Sequence, residues 1–386
     1  MSYKILRIYS IPYTHVYSDF VEKNNKIKNL RYKEIQANFF TKKISYSDVF
    51  SRNMKKLGNK SEEIIINFEY LQNQWAKENI KSNTNKLNNN LILEMQIEKF
   101  QPEVIFFQNL PTINIKNLKK KFSFIKKIVV HCGFDIKKEL IKDIDLLFVT
   151  PHLYEKFKNN FKNIYQLHHY FDESILKIIN KKKKKNFIIF SGKTGSSKNL
   201  HHKFRFNLLK EICLNFDIKI YSDEYGRKIY YSKKNKTNLK QKIYKILNFM
   251  NTPKSDEFFI HDLFPKNCFY PIYGIEMYNE ICSSNLVLNS HTDVSWNYSA
   301  NMRLFETTGV GTCIITENSK NINSLFSNEQ IITYNDQEDC IKKINYYKNN
   351  LEELEEISLR GQKQTLEKHS SYTRISEIDT MIKKHL

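Results

Sequence analysis

Along most of the chain, short apolar runs rich in Ile, Val and Phe alternate with longer lysine-studded segments whose apolar residues return at helical spacing. That alternation predicts strands crossing through helices into parallel sheets. In the first half the predicted strands are 5–9, 63–68, 104–107, 128–131, 146–150 and 164–167, with helical patterns at 46–57 and 91–100 among those between them. In the second half strands are predicted at 187–190, 218–221, 286–289 and 312–316, and helices near 204–215, 275–283, 302–308, 338–349 and 351–369.

The basic run 181–185 is followed at once by the apolar run 187–190, so a new sheet begins after a solvated hinge. The expected domains are therefore 1–180 and 186–386. A lysine-rich insertion falls at about 226–254, and the last helix is free to pack back on the N-terminal domain. The fold class is α/β, two Rossmann-like domains facing a cleft, with ligands at the carboxyl ends of the strands.

Composition supports this picture. At 386 residues, with 40% hydrophobic and 13% aromatic residues, the chain is long enough and apolar enough for two cores. The formal net charge of +21 points toward polyanions. Lysine supplies almost all of it and is spread along the whole chain, which argues against one nucleic-acid-binding face; nucleic acid is not an expected partner, and an anionic membrane surface is left open only as a weak one. The numerous aromatic residues at helical spacing are read as core rather than as a base-stacking surface. Six cysteines lie far apart with no CxxC pair, so neither disulfides nor a metal site is expected. No window is apolar enough to span a bilayer, and the N-terminus does not read as a signal peptide. A cytoplasmic protein is expected, at most peripherally attached to the inner face of the membrane.

The densest constellation of chemical groups runs from Asn301 through Arg303, Glu306, Gly309 and Gly311 to Thr312. A helix beginning near Ala300 would aim free N–H groups at an anion, and the glycines would let the backbone approach a ligand closely. Arg303 offers a diphosphate a fork of donors. Glu306, three residues on, could accept both hydroxyl protons of a ribose. Spacing alone equally allows an intrahelical Arg303–Glu306 ion pair, with the glycines ending the helix.

Several residues in this half carry a resemblance: Gly274, Met277, Leu288-Asn289, Asn301-Met302-Arg303-Leu304-Phe305-Glu306, Gly309, Gly311, Phe326, and His369 through Tyr372 to Arg374. The stretch 273–374 resembles the C-terminal domain of CgeB-like, group 1 type glycosyltransferases. Phe190-Ser191-Gly192 and the segment 201–205 are more loosely similar to the opening of that domain. The resemblance implies the GT-B fold, with the C-terminal domain gripping a nucleotide sugar and the N-terminal domain offering the acceptor. It also implies metal-independent transfer to a hydroxyl of a glycan, a lipid-linked saccharide or a protein, with Arg303 on the donor phosphates and Glu306 on the ribose. Many retaining enzymes of this fold place a second glutamate eight residues before the one matching Glu306. This chain has Tyr298 there, so the resemblance does not decide between retention and inversion.

Further candidates follow predicted strands. Gly192 and Lys193, with Gly195 and Ser196 beyond them, form a loop whose amides and charge could meet a phosphate, though not at Walker spacing. With Arg303 and a helix N-terminus, those loop amides would stabilise the departing diphosphate. Ser290 and His291, with Thr292 and Asp293, follow the strand at 286–289. For the acceptor's proton the candidates are His131, at the end of a strand, and His15, in the loop after the first strand. His168, His169 and His369 are read as structural. No cofactor and no metal are expected. The rival readings are a nucleotide-sugar epimerase or phosphorylase of the same fold, and a non-catalytic binder of nucleotide sugars or polyanions.

Overall fold

The computed structural model describes residues 1–80, 88–108, 115–135, 143–180, 184–199, 202–225, 257–291, 295 and 297–386. The insertion expected at 226–254 lies outside the described residues, as do Thr292 and Asp293. The chain forms two compact units, Met1–Asp172 with His369–Leu386, and Glu173–Lys368.

The first unit holds a six-stranded parallel sheet of β1 (Lys4–Tyr9), β2 (Lys60–Ile65), β3 (Val104–Gln108), β4 (Lys127–Cys132), β5 (Leu146–Val149) and β6 (Ile164–Gln166), in the order β2-β1-β3-β4-β5-β6. Its strands read as near-continuous apolar runs because helices cover both faces, as parallel sheets require. Ile105, Phe107, Ile128, Val130 and Leu147 lie in one buried cluster with Leu93 and Ile97 of the helix Asn89–Phe100. The exception is Arg7 in β1, fully buried, whose Nη1 donates to Glu63 Oε2 at 2.7 Å and whose guanidinium lies over the Tyr9 ring at 4.1 Å. Burial of such a charge is tolerable only because carboxylate, amide and carbonyl acceptors surround it. The C-terminal helix Ser371–His385 belongs to this unit: Asp379 accepts from Tyr3 Oη at 2.8 Å and Asn59 Nδ2 at 2.7 Å.

The second unit holds another six-stranded parallel sheet: β7 (Asn186–Gly192), β8 (Ile218–Ser222), β9 (Cys268–Phe269), β10 (Ser284–Leu288), β11 (Cys313–Glu317) and β12 (Ile332–Tyr334), in the order β12-β11-β10-β7-β8-β9. Counted within the unit that is 3-2-1-4-5-6 read from the β9 edge, the doubly wound order of dinucleotide-binding folds. Two Rossmann-like α/β units are thus as the alternation of apolar and amphipathic segments predicts.

All ten predicted strands are present, and the differences have local causes. The second begins three residues earlier than expected, at Lys60, because the polar residues of its opening, Lys-Ser-Glu-Glu, conceal a strand whose Ser61 and Glu63 point inward. Strands β9 and β12, two and three residues long, are too short for an alternation to register. His15 does not lie in a loop: it opens the helix His15–Glu22.

Candidate functional site

In the second unit the chain leaves β7 toward β8 on one side and later returns to lay β10 on the other. The loops after these two strands therefore diverge, opening the crevice at which doubly wound sheets bind ligands. Gly192 ends β7 and Asn289 follows β10. The helix Met302–Gly309 starts beside them, its N-cap Asn301 donating from Nδ2 to Asn289 Oδ1 at 2.7 Å. The helix N-terminus and its partial positive charge thus face the strand ends.

Arg303 and Glu306 sit on the side of this helix toward β7. Arg303 Nη1 donates to Glu306 Oε2 at 3.0 Å and lies 2.8 Å from Met277 Sδ, while Nη2 reaches Ser191 Oγ at 3.3 Å. Its Nε is buried without a hydrogen-bond partner. Glu306 is 7% exposed and its Oε1 accepts from Tyr278 Oη at 3.4 Å. The ion pair that spacing allowed is therefore formed, and it is formed at the carboxyl end of β7 rather than on a solvated face. The two readings of the spacing do not exclude each other. Tyr298, eight residues before Glu306, is half-buried with the Lys320 ammonium 5.6 Å from its ring centre.

The loop after β7 corrects one expectation. The amide of Gly195, foreseen as a phosphate donor, already points at the Glu224 carboxylate at 3.4 Å, as does that of Thr194 beside it at 3.1 Å. The adjacent Lys193 is exposed, and its ammonium meets no partner among the described residues. Its carbonyl accepts from Arg205 Nη1 at 2.9 Å.

Ser290 and His291 are brought to the end of β10 but turned inward, both nearly fully buried. Ser290 Oγ and the His291 amide donate to the Glu317 carboxylate at 2.7 and 2.9 Å, and Arg205 Nη2 donates to the Ser290 carbonyl. His291 Nε2 lies 3.0 Å from Ser299 Oγ. Burial, with the nearby Arg205 charge, pushes the His291 pKa down to about 4. These two residues shape the crevice floor instead of lining an open loop, because Glu317 and Arg205 engage the polar groups they would need for a ligand. Arg205 and Glu317 are the residues that sequence reasoning passed over. The available signals were an arginine on an otherwise apolar helical face, Phe204 to Leu209, and an acid at the carboxyl end of a strand.

Gly309 and Gly311 are at the wrong end of the helix for a ligand at the crevice. Gly311 lies just before the amino end of β11, whose first residue pairs with Leu286 in the middle of β10, and Thr312 Oγ1 donates to the Ile281 carbonyl at 2.9 Å. Gly311 has φ +78, and a Cβ there would meet the Gln362 side chain at 3.0 Å; Gln362 Nε2 donates to the Gly309 carbonyl at 3.0 Å. The close approach Gly311 permits is that of the helix Leu351–Lys368.

In the first unit, His131 is the penultimate residue of β4, 9% exposed, with Nε2 lacking a hydrogen-bond partner. Burial foremost, then the neighbouring His169 and Arg7, push its pKa down to about 3. His169 Nδ1 lies 2.5 Å from Tyr46 Oη, and its pKa is pushed down to about 4 by burial. His369 pairs through Nδ1 with Arg374 Nη2 at 2.7 Å and accepts at its carbonyl from the Phe171 amide. Among the described residues no group of three or more His, Cys, Asp and Glu side chains gathers as a metal site, and no helix is long and apolar enough to cross a membrane.

Comparison with known proteins agrees with this geometry. Residues 266–380 match the family described as glycosyl transferase-like. No curated protein matches the chain in sequence. Solved structures share its fold over nearly the whole length. A glycosyltransferase from Rickettsia africae ESF-5 is 12% identical over 99% of this chain and 98% of that one, with a TM-score of 0.59. Sucrose-phosphate synthase from Thermosynechococcus elongatus is 6% identical over 99% and 98%, with a TM-score of 0.54. Anabaena Alr3699/HepE, solved in complex with UDP-glucose, is 9% identical over 99% and 100%, also at 0.54. The family match spans β9 to β12 and the helix bearing Arg303 and Glu306, so this part of the chain is similar to glycosyl transferase-like proteins, and the whole chain carries the GT-B fold of the solved structures it resembles.

Proposed function

We propose that the enzyme takes its sugar from a nucleoside-diphosphate donor bound at the crevice between β7 and β10, and passes it to a hydroxyl of a glycan, lipid-linked saccharide or protein. The observation that carries this reading is the meeting of Arg303, Glu306 and the end of β7: Arg303 reaches Ser191, two residues before the free ammonium of Lys193. Glu306, held by Arg303 and Tyr278, keeps lone pairs for the two hydroxyls of a ribose. Lys193, Arg303 and the N-terminus of the helix Met302–Gly309 then face the diphosphate, and they stabilise it as negative charge builds on the departing oxygen. With two cationic side chains for that task, transfer proceeds without a divalent metal. The UDP-glucose held by the Anabaena protein of the same fold supports a donor of this chemical class.

His131 does not suit the proton transfer. A base whose conjugate acid has a pKa of about 3 takes up a proton at pH 7 at an expense of roughly 5 kcal/mol. His15, on the first turn of its helix and intermediate in exposure, is the remaining candidate for the acceptor's proton. The lysine excess fits weak attachment to an anionic membrane face, which would bring a lipid-linked acceptor within reach.

The test is turnover of a panel of nucleotide sugars by the purified chain, with and without EDTA, reading nucleoside diphosphate release and sugar transfer. One donor should be consumed at the same rate in EDTA, and more slowly by Lys193→Ala and Arg303→Ala. Release that EDTA abolishes, or no release from any donor, would contradict the proposal.

A further inference from the structure

The loop after β7 is held by acids from elsewhere in the unit. The amides of Thr194 and Gly195 both point at Glu224, whose Oε2 also accepts from Ser222 Oγ at 3.0 Å. Farther along, Glu257 accepts from Ser196 Oγ. Successive amides that converge on one anion make the kind of nest that binds phosphate. Here the nest is filled by a carboxylate that follows β8, the neighbouring strand. The loop has little freedom to do otherwise. Thr194 and Ser196 are buried. Gly195 has φ +74, and a Cβ on it would stand 2.5 Å from His202 Cβ. Lys193 sits between the nest and the end of β7, its carbonyl fixed by Arg205 and its ammonium in solvent.

We propose that Glu224 is a positioning residue that closes this nest, so that the loop presents to the donor's diphosphate the ammonium of Lys193 and not the amides of Thr194 and Gly195. This rests on the donor site proposed above. A phosphate entering the nest would have to expel the carboxylate and then lie beside it, and two anions sharing one site disfavour each other. The diphosphate is left to Lys193, Arg303 and the N-terminus of the helix Met302–Gly309, and Glu224 acts on it only by fixing where Lys193 stands.

The test compares affinity for the nucleoside diphosphate and for the matching nucleoside in the wild type, Glu224→Ala, Lys193→Ala and the double variant, with Glu224→Gln as the milder change should Glu224→Ala fail to fold. Glu224→Ala and Lys193→Ala should each weaken diphosphate binding about tenfold, as one charge-assisted contact implies. The double variant should lose no more than about the same tenfold, since the two residues act in series, and nucleoside affinity should not change. Tighter diphosphate binding in Glu224→Ala or Glu224→Gln would overturn the proposal, because the carboxylate would then occupy the phosphate's own place. A full product of the two single losses would overturn it as well. Hydrogen exchange in the segment 191–199 is read without any nucleotide: it should quicken in Glu224→Ala, and unchanged exchange would refute the anchor itself. A wild type that binds diphosphate no better than nucleoside would refute the donor reading instead, with the exchange result still judging Glu224.

Discussion

Replacing Glu306 by Gln separates the two duties that its position allows. Its carboxylate lies 3.0 Å from Arg303 Nη1 and 3.4 Å from Tyr278 Oη, with the side chain 9% exposed. A ribose diol offers a carboxylate two hydroxyl donors, each bond to a charged acceptor contributing about 1.5–3 kcal/mol. Glutamine keeps the volume and one acceptor oxygen, so one such bond is lost. The nucleoside diphosphate should therefore bind roughly 10- to 150-fold more weakly, at about 1.4 kcal/mol per factor of ten. The structural duty should suffer less. The remaining amide oxygen can still accept from Arg303, and a stability loss of about 1 kcal/mol lowers Tm by only about 2–4 °C in a unit of this size. Calorimetric titration with the diphosphate and a thermal melt on the same preparation read both quantities. A fall in Tm above about 10 °C with unchanged affinity would refute the reasoning and leave Arg303–Glu306 as a structural strut.

Other perturbations probe the frame around the site. Gly361→Ala should destabilise, although alanine is the better helix former by about 1 kcal/mol, because its Cβ would stand 2.4 Å from the Gln330 carbonyl oxygen; a Tm equal to or above wild type would contradict the close approach. Gly195→Ala should displace the loop, since both the positive φ and the His202 backbone oxygen at 2.9 Å oppose a Cβ, and it should weaken diphosphate binding more than nucleoside binding; equal losses would argue that the loop does not face the phosphates. The pKa of His291 is about 4 in the fold and about 6.5 unfolded. The unfolded chain thus binds a proton first, and the stability that neutral His291 contributes is complete above pH 6.5 and lost as the pH falls through 4. His291→Asn should flatten the stability profile between pH 6.5 and 4 by up to one proton's worth, about 1.4 kcal/mol per pH unit; unfolding curves of equal slope in both proteins would refute it.

The fold was legible because its strands are buried on both faces and therefore appear as unbroken apolar runs, such as Val104 to Phe107 and Ile128 to Val130. What escaped was what alternation cannot encode. Strand β2 opens on Lys-Ser-Glu-Glu, and its Glu63 is inward only because Arg7, 56 positions away, meets it. The site was half legible. Arg303, Glu306 and Asn301 share one helix, so their spacing places them together at its N-terminal end. Gly309 and Gly311 share the same helix and its exit, and their spacing gives no sign that the exit lies at the amino end of β11, against Gln362. Ser290 and His291 follow a strand as foreseen, yet their side chains turn inward for Glu317 and Arg205, partners 26 and 85 or more positions distant in sequence. Glu224 was invisible for the same reason: a carboxylate in a phosphate nest is a fact of tertiary packing, not of spacing.

The most direct measurement of the donor site is photoaffinity labelling with an azido analogue of the nucleoside diphosphate that the turnover panel selects, followed by peptide mapping. The account predicts labelled peptides from the end of β7 and from the segment 289–306, competed away by unmodified diphosphate and lost in Glu306→Gln. Competable label confined to the first unit, or to the second unit away from those segments, would contradict it.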